Sequence, residues 1–352
     1  MDGDGSAHGR VNVIGEHTDY NDGLVLPTLI PQRTVVAIRT RTDRFISLRS
    51  DMPGAAANEI AIDRRAPQRD WSDHVLGVVD VLVRGGHELR GFDALVRSDV
   101  PIGAGLASSA ALAIATARAL REAFGLALDD REIANVAHES EVGFVGARVG
   151  TMDQLVCSLG HEGEALFIDT RDGSTTRVPL GELDAEMAVI DSGIHHQHSG
   201  GDYNTRRSEC EEAARLLGVA SLRDVPPEDA RGSPASPPLP ATLARRVRHV
   251  VGENVRVRSA VAAIERGDAA ELGRLLSETH RSLRDDFEVS VPAIDRMVDV
   301  AQRDPDVYGA RLTGGGFGGS VLLLAHDGRA RAAAERIVAA SASGARVVLP
   351  VA

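Results

Sequence analysis

A chain of 352 residues has material for one large or two medium domains, and 43% hydrophobic with 26% charged residues is an ordinary soluble composition. A net charge of −12 without a basic block argues against a nucleic-acid surface. No apolar run approaches membrane-spanning length, and the opening MDGDGSAHGR lacks the apolar core of a signal peptide. Two cysteines, Cys157 and Cys210, cannot build a disulfide framework or a four-cysteine metal site, so a reduced, cytoplasmic protein is expected. Every Lys-or-Arg position is Arg. Walker-type NTPases, protein kinases and pyridoxal enzymes all need a lysine at the chemistry, so those classes are excluded; phosphate here must be neutralised by backbone amides, metal and Arg.

Residues 10–27, RVNVIGEHTDYNDGLVLP, set Glu16, His17, Asp19, Tyr20 and Asn21 between two apolar segments. Polar side chains flanked in this way need partners. Carboxylates, imidazole and tyrosine suit sugar hydroxyls, which donate and accept; a metal held by Glu16, His17 and Asp19 is the rival, and a hairpin turn at Asn21-Asp22-Gly23 explains the turn without the Glu-His pair. Thr34–Thr40 and Phe45–Ser50 alternate like paired strands. Asp51–Asp70 is turn-rich. Trp71–Val83 reads as a helix with one buried face, ending at Gly85-Gly86, and Ala94–Arg97 as a strand.

In VPIGAGLASSAALAIATAR, residues 100–118, Gly103 and Gly105 permit sharp turns, and Ser108-Ser109 open an Ala-rich run without a breaker until Gly125. A glycine loop feeding a helix start aims unpaired N–H groups and the positive end of the helix dipole at one spot, which suits phosphate. An ordinary turn with serine N-caps explains the same residues.

Asp129–Gly146 reads as a helix capped by Asp129 or Asp130, with Ile133, Val136, Ala137 and Phe144 as its apolar stripe. Glu141 at the edge of that stripe wants a cation, either an Arg or a metal shared with the serine pair. Asp153 in Gly150-Thr151-Met152-Asp153-Gln154 opens a helix-like run, where an N-cap is the plain role. Ala165–Asp169 and Met187–Asp191 read as buried strands separated by the polar hairpin Arg171–Arg177. His195, His196 and His198 lack further ligands at zinc spacing and read as a surface loop. Tyr203 precedes a helix through Leu217, and Pro226–Pro240 is an exposed connector. Helices follow at Glu253–Arg266, Ala269–Arg284 and after Ser290-Val291-Pro292. Ala310–Ala325 is a strand, a glycine loop and a strand; Ala330–Ala340 is a helix and Arg346–Val351 a last strand.

Three stretches together resemble the signatures of the GHMP small-molecule kinases: GRVNVIGEHTDYNDGLVLP at 9–27, PIGAGLASSAA at 101–111 and LTGGGFGGS at 312–320. The first is similar specifically to the galactokinases, and the likeness continues through GTMDQ at 150–154, residues 202–218 and LRDDFEVS at 283–290. It implies an α+β, two-domain GHMP kinase fold: an N-terminal domain like ribosomal protein S5 domain 2 over 1–180, then a ferredoxin-like domain over 181–352. It implies ATP-dependent phosphorylation of galactose at the anomeric hydroxyl, with ATP and Mg2+ as cofactors; the charge and the lack of a spanning apolar run point to no nucleic-acid or membrane partner, and a monomer is expected.

Carried over residue by residue, the resemblance makes Asp153 the base at the anomeric hydroxyl with Arg10 beside it. Glu16, His17, Asp19, Tyr203 and Gly150 would hold the sugar. Gly103, Ala104, Gly105, Leu106, Ala107, Ser108 and Ser109 would wrap the phosphates, and Ser109 with Glu141 would hold magnesium. Where the family commonly has Ala-Pro-Gly, this chain has Ala7-His8-Gly9, and Arg148-Val149 stands where a Pro-containing pair is common. A kinase for N-acetylgalactosamine or arabinose, and a non-catalytic sugar and ATP sensor, are the alternative readings; the intact GLASSAA argues against the sensor.

Overall fold

The computed structural model describes residues 2–52, 54–194, 199–231, 238–341 and 344–350. His195, His196 and His198 lie outside the described residues, as do 232–237 of the expected connector and the last residue of the expected closing strand.

The chain opens with β1 (Gly3–Asn12), in which buried and exposed residues alternate as far as Ala7. It continues through β2 (Leu24–Val25), β3 (Pro27–Thr40), β4 (Phe45–Ser50) and β5 (Asn58–Ala61). Helix α1 (Asp73–Arg84) buries Val75, Leu76, Val78, Val79 and Leu82, and stops at Gly85. Strand β6 (Phe92–Ser98) leads through the glycine turn into α2 (Ser108–Phe124), which ends on the left-handed Gly125. Asp129 caps α3 (Asp130–Glu139) in a capping box with Glu132. The last part of the expected helix is instead a π-helical turn, Ser140–Val145, followed by α4 (Met152–Leu159). Then come β7 (Glu164–Asp169), β8 (Ser174–Pro179), β9 (Ala185–Asp191) and α5 (Ser199–Leu217). Helix α6 (Ala241–Glu265) starts well ahead of the expected Glu253, because Leu243, Val247, Val250 and Val251 already give its first turns a buried face. The chain ends with α7 (Ala269–Asp285), α8 (Pro292–Ala301), β10 (Val307–Thr313), β11 (Ser320–His326), α9 (Ala330–Ala339) and β12 (Arg346–Pro350).

Packing divides the chain into two compact units. One holds the residues up to Arg10, Leu29–Ile102 and Leu106–Gly160. Its strands lie in the order β1, β3, β6, β4, β5. β3 and β6 are antiparallel with Thr34 opposite Ser98, and β6 and β4 are parallel with Ile46 opposite Phe92. The expected pairing of Thr34–Thr40 with Phe45–Ser50 is therefore corrected: β6 runs between them. Alternation marks a strand with one buried face but does not name its neighbour; here the chain leaves β4 through β5 and α1, and returns as β6. Arg41 pins the corner, donating to Asp43 Oδ1 at 2.8 Å and to Asp93 Oδ1 on β6 at 2.9 Å. Helix α2 lies against β1 so closely that a Cβ at Gly3 would stand 2.5 Å from the Ala119 carbonyl oxygen. Glycine on the strand and buried alanines on the helix allow that approach.

The other unit holds Val11–Thr28, Gly103–Gly105 and the residues from His161 on. Its larger sheet runs β10, β11, β9, β12, all antiparallel, with Ser320 opposite both Thr313 and Asp191. Ile190, Leu312, Leu323, Phe287, Val298 and Ile337 form its core. β7 pairs with β2, β8 and Thr28. A second core joins Val13, Ile14 and Leu26 to Val257, Ile264 and Leu272. Residues 11–28 are thus packed by helices more than two hundred residues later in the chain.

Candidate active site

Arg10 and Asp153 form the clearest chemical pair of the first unit. The Arg10 backbone N–H donates to the Leu106 carbonyl at 3.1 Å, which fixes the end of β1 beside the start of α2. Its guanidinium donates through Nε to Asp153 Oδ1 at 2.7 Å and through Nη2 to Oδ2 at 2.6 Å. This is the parallel, two-bond arrangement that makes Arg–carboxylate pairs directional. The Arg10 side chain is 7% exposed and that of Asp153 28%, so the carboxylate keeps an open side. Each carboxylate oxygen retains a second lone pair for a further donor. The N-cap of α4 is Thr151, so Asp153 is not the cap that its position suggests; it sits in the first turn. Gly150 lies half-buried just ahead of that helix.

Ser109, Glu141 and Gln154 form the neighbouring cluster. Ser109 Oγ donates to Glu141 Oε1 at 3.1 Å, and Gln154 Nε2 to Glu141 Oε2 at 2.6 Å. The hydrogen-bond partners of Glu141 are thus Ser109 and Gln154, where sequence alone allows an Arg or a metal. Burial, and next the charge of Asp153, push the Glu141 carboxyl above the usual carboxylate range. A hard divalent cation would find oxygen donors here, the Ser109 hydroxyl and the nearly buried Glu141 carboxylate, with the Asp153 charge close enough to act on Glu141. Neither serine caps α2. The N-cap is Ala107, with φ +60° and no side-chain hydrogen bond, so the helix start receives no side-chain cap.

The same end of α2 borders a slot that the sequence reading missed. Trp71, Met52, Ile102 and Leu112 line it with Ser108 and Ser109. Ile102 is 62% exposed, and burial holds the neighbouring His74 imidazole below its ordinary value. An apolar, aromatic-walled slot beside the start of α2 suits a flat heterocycle. The sole tryptophan of the chain and an isoleucine between Pro101 and Gly103 are the signals that mark it in the sequence.

In the second unit, Glu16 Oε1 accepts from Gly314 N–H at 2.8 Å, Thr313 Oγ1 at 3.0 Å and Arg311 Nη2 at 3.1 Å. The metal alternative for Glu16, His17 and Asp19 is corrected by this: Glu16 is occupied by Arg311 and the glycine loop, and among the described residues no three His, Cys, Asp or Glu are grouped to hold an ion. Arg311 is wholly buried and also donates to the Val13, Leu312 and Asn12 carbonyls. Its part was not foreseen, although an arginine inside the apolar strand VYGARLT is a visible clue. His17 sits at φ +62° and shares a 2.9 Å hydrogen bond between Nδ1 and the Tyr20 hydroxyl. Its ring centroid is 4.8 Å from that of Phe287 and 5.5 Å from that of Tyr203 on α5. Burial pushes its pKa down to about 3, which keeps it neutral. Asp19 is half-buried in the short 3-10 turn Asp19–Asn21, with Tyr20. Gly105 and Gly314 also meet, since a Cβ on Gly314 would stand 3.4 Å from Gly105 Cα, and Ser320 Oγ donates to the Ala104 carbonyl at 2.7 Å. Within their units, then, the predicted residues assemble as Arg10, Asp153, Ser109 and Glu141 in one, and Glu16, His17 and Tyr203 in the other.

Three family models match the chain. The GHMP kinases N terminal domain matches residues 73–161, the GHMP kinases C terminal domain 260–343, and the galactokinase galactose-binding signature 5–40. The chain is 44% identical to a galactokinase of Streptomyces coelicolor over 91% of this chain and 83% of that one. It is 41% identical to a galactokinase of Thermotoga neapolitana over 92% and 89%. Among solved structures, a Lactococcus lactis galactokinase complexed with galactose superposes with a TM-score of 0.91 at 29% identity, covering 98% of this chain and 92% of that one. A mevalonate kinase superposes at 0.72 with 17% identity, a likeness of fold alone. With the GHMP kinase fold in both of its domains and a relative at that identity across nearly its whole length, the chain belongs to the galactokinase family of the GHMP kinases.

Proposed function

We propose that this chain transfers the γ-phosphoryl group of ATP to the anomeric hydroxyl of galactose, giving galactose 1-phosphate and ADP. The observation that carries the reading is the Arg10–Asp153 fork, beside the Ser109–Glu141 cluster, in a chain similar to galactokinases throughout its length. Phosphoryl transfer passes through a loose transition state, so positioning and charge neutralisation do most of the work. Asp153 takes the proton of the attacking hydroxyl through its open side, which turns a poor nucleophile into a competent one. Arg10 fixes the carboxylate by two bonds and offsets charge that grows on the sugar oxygen and the phosphoryl group. Glu16, His17, Asp19, Tyr203 and Gly150 hold the other sugar hydroxyls, and the 103–109 loop holds the phosphates with main-chain amides and hydroxyls. Ser109 and Glu141 would hold magnesium, which when bound neutralises phosphate charge. All these groups come from one chain, so a monomer suffices.

A coupled assay of ADP release across free sugars tests the reading. Turnover with galactose well above turnover with N-acetylgalactosamine or arabinose is the expected result. Turnover confined to another sugar, or galactose binding without ADP release, would overturn it.

A further inference from the structure

Helix α6 sets three side chains against the backbone of the Gly15–Leu24 turn, and none has a role above. His249 and Glu253 lie one turn apart at i and i+4, and Asn254 follows Glu253. Glu253 Oε1 accepts from Gly15 N–H at 2.9 Å, Asn254 Oδ1 from Leu24 N–H at 2.8 Å, and His249 Nε2 meets the Glu16 carbonyl at 3.1 Å. All three are buried. A buried carboxylate is costly unless paired, and Glu253 is paired: Arg256 Nε donates to Oε2 at 2.8 Å and Thr279 Oγ1 at 3.0 Å. A carbonyl can only accept, so His249 carries its proton on Nε2, and its Nδ1 lies 3.0 Å from Ser282 Oγ.

The turn that these groups brace needs bracing. His17 is a non-glycine residue at φ +62°, between Gly15 at φ +105° and Asp22 at φ +54°. Such backbone persists only where its surroundings over-determine it. His249 acts on that point from two sides. It bonds the carbonyl of the Glu16–His17 peptide, and its ring lies 4.4 Å from that of Phe287, which also packs against the His17 ring at 4.8 Å.

We propose that His249 is a positioning residue for sugar recognition, with Glu253 and Asn254 completing the brace. It sets the direction in which Glu16 and His17 present their side chains, and so governs the affinity for sugar while leaving the phosphoryl-transfer step alone. The proposal rests on the sugar-kinase reading above. Its test measures kcat and both KM values for wild type, His249→Leu and His249→Gln, with thermal unfolding of each. The glutamine amide nitrogen can take the place of Nε2. We expect His249→Leu to raise the galactose KM at least tenfold, with kcat within threefold and the ATP KM unchanged, and His249→Gln to return the galactose KM to within threefold of wild type. A galactose KM unmoved in His249→Leu, a kcat that falls with the folded fraction at constant KM, or a His249→Gln no better than His249→Leu would overturn the inference. If His249→Leu does not fold, Asn254→Ala against Asn254→Asp makes the same comparison at Leu24 N–H. A wild type that ignores galactose overturns the sugar-kinase reading instead, which is a separate outcome.

Discussion

His17 and His249 are imidazoles that folding must keep neutral. Burial lowers their pKa from 6.5 to about 3 and about 4. Between about pH 6.5 and pH 4 the unfolded chain therefore binds protons that the folded chain refuses, so stability rises with pH across that window. Their contribution is complete above pH 6.5 and is lost as pH falls towards 4. At 1.4 kcal/mol per pH unit, each is worth on the order of 2 kcal/mol between pH 6.5 and 5. Glu141 has the opposite sign: its raised carboxyl favours the folded state at low pH, and that contribution is lost as pH rises. Burial lowers the His74 and His280 imidazoles as well, so with four imidazoles against the Glu141 carboxyl the thermal midpoint should fall by roughly 5 °C or more between pH 7.5 and 5. A midpoint that stays level or rises over that range would contradict the burial of neutral imidazoles.

Glycine loops show where a sequence pattern is legible as an element and where it is not. The strand, loop and strand around residues 314–319 could be read directly, but not which glycines are indispensable. Gly316 is one: it sits at φ +84°, and a Cβ there would stand 2.7 Å from both Cβ and the carbonyl oxygen of Val289. Gly328 shares the left-handed backbone at φ +67°, yet a Cβ there meets nothing within 4 Å. Gly316→Ala should therefore cost about 3 kcal/mol in denaturant unfolding, and Gly328→Ala about 1 kcal/mol; equal costs would show that backbone strain alone matters. Helix α2 was similarly legible in its extent, whereas its cap was not. Serines at a helix start suggest caps by propensity, but Ala107 takes the left-handed turn and leaves Ser109 to reach Glu141. The π-helical turn at Ser140–Val145 lay beyond the pattern as well, because apolar spacing over six residues does not separate α from π.

At the scale of the molecule, the motifs were plain and their partners were not. The expected division at residue 180 is one of chain order, while packing gathers residues 11–28 and 103–105 with the C-terminal half. Nothing local to RVNVIGEHTDYN reveals that Arg311 and α6 hold it, since those contacts are set by long-range packing. Asp153 was singled out through the GTMDQ resemblance, whereas its fork from Arg10, 143 residues away in the chain, was visible only in the structure. The account depends on that carboxylate accepting the proton of the sugar hydroxyl. Asp153→Asn keeps the shape of the side chain and removes the proton acceptor, so galactose-dependent ADP release and galactose binding, measured on the same preparation, address the point directly. Turnover should fall by about 10³-fold with the galactose Kd within tenfold of wild type; turnover within tenfold of wild type would remove Asp153 from the role of base.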